Sequence, residues 1–228
     1  MAYRRKAGLM LAHKPDIVIV PECEQPAKLK FEPGVPVPND VFWFGKNQNK
    51  GLGIFSYSNY KLQLNDIHNT SFRTILPLTV LNKKYQFTLF AVWANNPEDR
   101  AHQYVGQVWK AINFYADLLR NKKTILVGDF NSNTIWDKPR RDGNHSTVVE
   151  FLANRGIHST YHRFFNQIQG KEKDDTLFMY RHKNKSYHID YCFASNDLIK
   201  KLSHVEVGKH SDWCKHSDHA PLIVTFNI

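Results

Sequence analysis

Four short stretches of this chain set oxygen or imidazole groups at the ends of apolar runs. Glu22 follows Ile17-Val18-Ile19-Val20, and Asp129 and Asn131 follow Ile125-Leu126-Val127-Gly128. His188 and Asp190 precede Tyr191-Cys192-Phe193, and Asp218-His219 precedes Pro221-Leu222. Asp129 and Asn131 are two positions apart, so in an extended chain they point to the same side. Each stretch also has a plain structural reading. Asp129 and Asn131 fit an Asx-turn, Glu22 a surface carboxylate, His188 and Asp190 a cross-strand polar pair, and Asp218 an N-terminal cap. Taken together, Glu22, Asp129, Asp190 and Asp218 make an acidic site in a basic chain. Acidic groups bind a phosphodiester only through an intervening cation. Carboxylate and amide oxygens without thiolates favour Mg²⁺ or Mn²⁺ over Zn²⁺. Such an ion polarises a phosphoryl oxygen and lowers the pKa of an attacking water. His219 could contact the phosphate, and a carboxylate partner such as Asp190 would fix its tautomer and favour its charged form.

Strands and helices must position these groups. The spacing of Tyr3, Ala7, Met10 and Leu11 predicts an amphipathic helix over residues 2–13, followed by a strand at 16–20 that reads as covered on both faces. A Pro-rich loop fills 25–38. Shorter, antiparallel strands follow at 41–44, 50–56, 75–81 and 85–93, with Asn82-Lys83-Lys84 as a hairpin turn. A turn at 95–99 precedes a helix whose apolar face is Tyr104, Val105, Val108, Ala111, Ile112, Tyr115, Leu118 and Leu119. After a polar loop at 133–145, Ser146 caps a helix at 147–154 that ends at Gly156. Residues 158–170 give no assignment. Strands resume at 176–180, 186–193 and 221–226. In the middle one, Ile189, Tyr191 and Phe193 alternate with His188, Asp190 and Cys192, so one face packs and the other presents an imidazole and a carboxylate.

The chain has 228 residues, enough for one substantial core, so a single domain over 1–228 is expected. Hydrophobic content of 42% with 13% aromatic excludes a disordered chain. No apolar run is long enough to cross a bilayer, and the N-terminus lacks the apolar stretch of a signal peptide. Cys23, Cys192 and Cys214 show no CxxC spacing and read as free thiols, which places the chain in the cytoplasm. A net charge of +10 favours a polyanionic partner, nucleic acid or an anionic lipid surface. The charge gathers in loops or element ends at Lys122-Lys123, Lys138 to Arg141, Arg181 to Lys185 and Lys200-Lys201, which beside a catalytic edge would form a phosphate-tracking rim. Trp136 and Trp213 read as exposed rings able to stack on bases.

In their order, Glu22, Gly128-Asp129-Phe130-Asn131, Ile189-Asp190-Tyr191 and Ser217-Asp218-His219-Ala220-Pro221-Leu222 resemble the endonuclease/exonuclease/phosphatase superfamily, the deoxyribonuclease I-like and exonuclease III-like phosphodiesterases. Gly128 to Asn133, Trp136-Asp137 and Tyr187 to Tyr191 are similar to small bacterial members. The resemblance implies an α/β fold, a four-layer α/β/β/α sandwich. It implies Glu22 and Asp218 at the metal, Asp129 on the nucleophilic water, Asn131 supporting phosphate and water, and Asp190 paired with a phosphate-binding His219. Trp93 and Asn96 fall where relatives contact substrate. The family normally opens with a strand whose Asn reaches the metal, and that first strand is missing here. Either a homodimer covers the resulting gap, or the chain is shortened and weakened in activity. The expected function is Mg²⁺- or Mn²⁺-dependent hydrolysis of DNA, with RNA not distinguished. The alternatives are a phosphatase or phosphodiesterase on a small or lipid substrate, and a catalytically weakened nucleic-acid-binding homologue.

Overall fold

The computed structural model describes residues 3–95 and 103–228. A 3-10 turn, Tyr3–Arg5, and a short helix α1 (Ala7–Leu11) stand where the longer helix was expected. The opening turn is held from outside, by the Glu24 carboxylate accepting the Tyr3 backbone N–H at 2.9 Å. Strands β1 (Ile17–Cys23), β2 (Asp40–Asn47), β3 (Lys50–Ser56), β4 (Lys61–Leu64), β5 (Ile75–Leu81) and β6 (Gln86–Trp93) follow. The Asn82 side chain closes the β5–β6 turn by accepting the N–H groups of Lys84 and Tyr85. Helix α2 (Val105–Phe114) leads into β7 (Thr124–Asp129), and α3 (His145–Ala153), β8 (Ile157–Ser159) and α4 (Thr160–Phe165) come next. The chain ends with β9 (Leu177–Phe178), β10 (Ser186–Tyr187), β11 (Asp190–Ser195), α5 (Asn196–Ile199), β12 (Leu202–Val207), α6 (His210–Trp213) and β13 (Leu222–Phe226).

The elements stack in layers. A six-stranded sheet has the order β4-β5-β6-β7-β11-β8, with β6 and β7 parallel and its other pairs antiparallel. Alternation along β6 decides what covers each face. Phe90 and Val92 join Leu126 and Phe193 under α2 and α3, where Val108, Ile112, Val148 and Leu152 are buried. Leu89, Ala91 and Trp93 face the other way, against Leu52 and Ile54 of β3. That second layer holds β1-β3-β2, with β1 packed across β6 and β7, and the pair β12-β13, with β13 packed across β11. Tyr3 and Ala7 cover its outside by burying Val18, Val20 and Phe55.

The second layer is split. Each of β1 and β13 pairs along one edge, and among the described residues no strand joins their other edges. A groove of about 570 Å³ runs between them, floored by Phe87, Leu89, Ile125 and Val127. Ile17 and Ile19 are therefore half-buried rather than covered on both faces. Helix α3 also starts earlier than its sequence indicates. Asp137, from a distant turn, accepts the N–H groups of His145 (2.8 Å) and Ser146 (3.0 Å), so Ser146 lies inside the helix instead of capping it. Residues 158–170, unassigned from sequence, contain the end of β8 and α4.

Candidate active site

The register of β7 on β11 sets Asp129 directly opposite Asp190. Ile125, Val127 and Asp129 share the face turned towards the second layer, so both carboxylates lie at the mouth of the groove. Carboxylates facing each other across a ladder repel unless a cation or proton intervenes. Here His219 intervenes, its Nδ1 2.9 Å from Asp190 Oδ2. The loop before β13 carries His219, and paired backbone contacts fix it: Phe178 N–H to Asp218 O at 2.7 Å and Ala220 N–H to Thr176 O at 2.8 Å. Oxygen and nitrogen atoms from Asp129, Asp190 and His219 lie within 4.8 Å of one another.

The strand end at Asp129 is an Asx-turn and a member of this cluster at once. Asn131 donates its backbone N–H to Asp129 Oδ1 at 2.8 Å and its side-chain amide to Oδ2 at 2.7 Å. The same amide reaches Ala94 O at 3.1 Å, tying the turn to the end of β6. Gly128 is required just before it, since φ is +139° and a Cβ would stand 2.0 Å from Val92 O. Asp129 is 4% exposed, and burial, reinforced by the Asp190 charge, pushes its carboxyl well above the usual range. For His219, burial works to lower the pKa, but the charge and hydrogen bond of Asp190 outweigh it and hold the imidazole at about 9.

Glu22 is not among the groups within 4.8 Å, but it lines the same groove and its charge acts on Asp129. The β1–β3 register shifts between Val20 and Cys23, and within that bulge Glu22 takes φ +57°, a conformation that re-aims its side chain. Its Oε1 meets the Lys50 ammonium at 2.8 Å. Asp218 is half-buried and lines the groove beside Lys6, whose pKa burial lowers against the pull of Asp218, Cys23, Asp190 and Glu22. Trp93 is 5% exposed and lines a cleft of about 730 Å³, with the Lys50 ammonium over its ring. Asn96 and the rest of the expected turn at 95–99, Asn95 excepted, lie outside the described residues.

Three expectations change. His188 does not share a face with Asp190, because the strand breaks at 188–189; its ring is buried against Tyr161 and Tyr191, and its Nδ1 meets Asp174 O at 2.7 Å. Trp213 is 6% exposed and packs with Phe178 and Ala220, leaving Trp136, 41% exposed, as the open ring of the two. The basic clusters also divide. Lys122-Lys123 precedes β7 and Lys200-Lys201 follows α5 beyond the far end of β11, so both lie at the end of the sheet away from Asp129. Lys138 to Arg141, after β7, and Arg181 to Lys185, between β9 and β10, are in loops on the Asp129 side.

Several residues that hold the site in place stand outside the sequence motifs, Thr176 and Glu172 among them, whereas Ser132 and Asn133 belong to the stretch that carries the resemblance. Thr176 is fully buried, and its hydroxyl accepts the N–H groups of both Ile189 and Asp190 at 3.0 Å. Below the Asp129 turn, Asn133 donates to His188 O, to the Tyr191 hydroxyl and to Glu172. Ser132 meets His145 at 2.8 Å, and His162 bridges Ser159 (2.7 Å) and Glu172 (3.0 Å). Lys6 and Lys50 look from sequence like any surface lysines. Pairing of β3 with β1 brings Lys50 to Glu22, and the packing of the segment before α1 brings Lys6 into the groove with Asp218.

No protein-family model matches the chain. No curated protein matches it either. Solved structures do. An AP endonuclease from Archaeoglobus fulgidus superposes with a TM-score of 0.66 at 16% identity, over 100% of this chain and 96% of that one. The 3'-5' exonuclease NExo from Neisseria meningitidis gives 0.65 at 18%, over 100% and 96%. Truncated TDP2 from Caenorhabditis elegans gives 0.67 at 15%, over 98% and 90%.

Proposed function

We propose that this chain, whose fold is that of the deoxyribonuclease I-like endonuclease/exonuclease/phosphatase proteins, is a divalent-metal-dependent nuclease that hydrolyses DNA phosphodiester bonds. The observation that carries the reading is the meeting of Asp129, Asp190 and His219 at one strand end, in a chain of net charge +10. Carboxylate and amide oxygens without a thiolate suit Mg²⁺ or Mn²⁺, which Glu22 and Asp218 would hold. When bound, the ion would polarise the phosphoryl oxygen and offset charge building there.

The remaining steps belong to the chain. Asp129, with each oxygen already taking one hydrogen bond from Asn131, keeps a lone pair to orient an attacking water and accept its proton. The imidazolium of His219, turned and charged by Asp190, would contact the scissile phosphate and offset charge as the water attacks in line. Asn131 would steady both phosphate and water.

The test is incubation with supercoiled plasmid, an abasic-site duplex and a chromogenic phosphate ester, each with Mg²⁺, Mn²⁺ or chelator, beside Asp129→Ala. Metal-dependent cutting of DNA that Asp129→Ala loses is the expected result. Cleavage of the ester alone would favour a phosphatase. DNA binding without cleavage would leave a nucleic-acid-binding homologue. The groove between β1 and β13 favours one further reading, a homodimer that covers it. A monomeric mass by light scattering at micromolar concentration would sink that idea.

A further inference from the structure

The bulge that turns Glu22 aside also delivers it to a lysine. β3 begins at Lys50, and Gly51 faces Cys23 across the ladder, so Lys50 stands beside the bulge and meets Glu22 Oε1 at 2.8 Å. Its ammonium lies 5.5 Å from the centre of the Trp93 ring and lines the cleft of about 730 Å³. Lys46, Arg73, Phe72 and Asn95 also line this cleft. A pair whose side chains are 48% and 45% exposed is weakly held, and so can be exchanged. A divalent cation on Glu22 would both take the oxygen that Lys50 uses and repel its ammonium.

We propose that Lys50 competes with the divalent cation for Glu22 and, once displaced, binds a phosphate of a nucleic-acid strand lying in the adjoining cleft. The inference rests on the nuclease reading. It makes Lys50 the link between metal binding and substrate binding, with the two ligands favouring each other because each needs the ammonium to leave Glu22. The ammonium already lies over the Trp93 ring while it is paired with Glu22, so cation–π attraction would keep it beside the cleft once the cation takes Glu22.

The test is titration of Mn²⁺ into wild-type, Lys50→Met, Lys50→Arg and Glu22→Gln proteins, with free Mn²⁺ read by electron paramagnetic resonance, and kcat and KM measured on duplex DNA. Lys50→Met is expected to bind Mn²⁺ roughly three- to tenfold more tightly, since it removes a weak competing pair and a nearby positive charge. Its KM for DNA should rise, with a smaller change in kcat. Lys50→Arg should stay near wild type in both. In the Glu22→Gln background, Lys50→Met should gain nothing. A salt bridge with a merely structural role gives Lys50→Met an unchanged or weaker Mn²⁺ affinity, and either result overturns the inference. Should Lys50→Met fold poorly by circular dichroism, Lys50→Gln supplies the same comparison. Wild-type protein that cuts DNA while Lys50→Met gains no Mn²⁺ affinity rejects the inference and leaves the nuclease standing; wild-type protein that neither binds Mn²⁺ nor cuts DNA rejects both.

Discussion

At the scale of single residues, the central fact is that two carboxylates share one strand end and an imidazole joins them within 4.8 Å, hydrogen-bonded to Asp190. Asp129→Asn keeps the size of the side chain and removes the base. Its kcat should fall by roughly 10²- to 10⁴-fold with the circular dichroism unchanged. His219 offers a second check. Its folded pKa of about 9 exceeds the ordinary 6.5, so its contribution to stability is complete below pH 6.5 and is lost as pH rises through about 9. Burial alone would lower that pKa, and the Asp190 carboxylate more than reverses it. In Asp190→Asn protein without added metal, the His219 titration followed by NMR should therefore move down by about one pH unit or more. A midpoint that stays near 9 would show that another group charges the imidazole.

At the scale of elements, the site depends on side chains that never meet a substrate. Thr176 joins the β11 start to the His219 loop, its hydroxyl serving two backbone donors and its carbonyl a third. Thr176→Val leaves the two buried N–H groups unpaired, a cost of about 1–3 kcal/mol. Urea denaturation should show that loss, and kcat should fall more than KM changes because the Asp190–His219 pair loses its alignment. The histidine network beneath the Asp129 turn responds to acid. Burial lowers the His145 pKa to about 4. Burial raises the Glu172 carboxyl, but hydrogen bonds from His162, the Gly170 N–H and Asn133 win and bring it to about 2. In both cases the unfolded chain binds protons that the folded one refuses, so stability drains as pH falls from about 6.5 to 4 and again from about 4.5 to 2. The melting temperature should drop in these two windows, and Glu172→Gln should flatten the lower one.

At the scale of the molecule, the +10 charge matters by where it lies. From Thr124 to Asp129 the strand advances about 17 Å, which is beyond a Debye length at physiological salt. Lys183→Ala with Lys185→Ala should weaken DNA binding and lower the salt slope by about 0.9 for each phosphate no longer neutralised. The same change at Lys200-Lys201 should leave binding by fluorescence anisotropy nearly unaltered. Among the described residues no helix is long and apolar enough to cross a membrane.

The sequence by itself determined the longer apolar strands, among them β3, β5, β6, β7 and β13, because a buried strand must be apolar along its length; it missed β4, β8 and β12 and placed Glu22 after β1 rather than within it. It also determined the β5–β6 turn and, apart from Tyr104, which stands 46% exposed at the N-cap, the apolar face of α2, both of which are local patterns. Only the tertiary structure decided the partners. That Asp190 faces Asp129, that Glu22 turns to Lys50 and that His188 sinks into the core follow from register, a bulge and a strand break. Each of these is set by contacts between residues far apart in the chain, so the identities of the reactive groups were local information and their company was not.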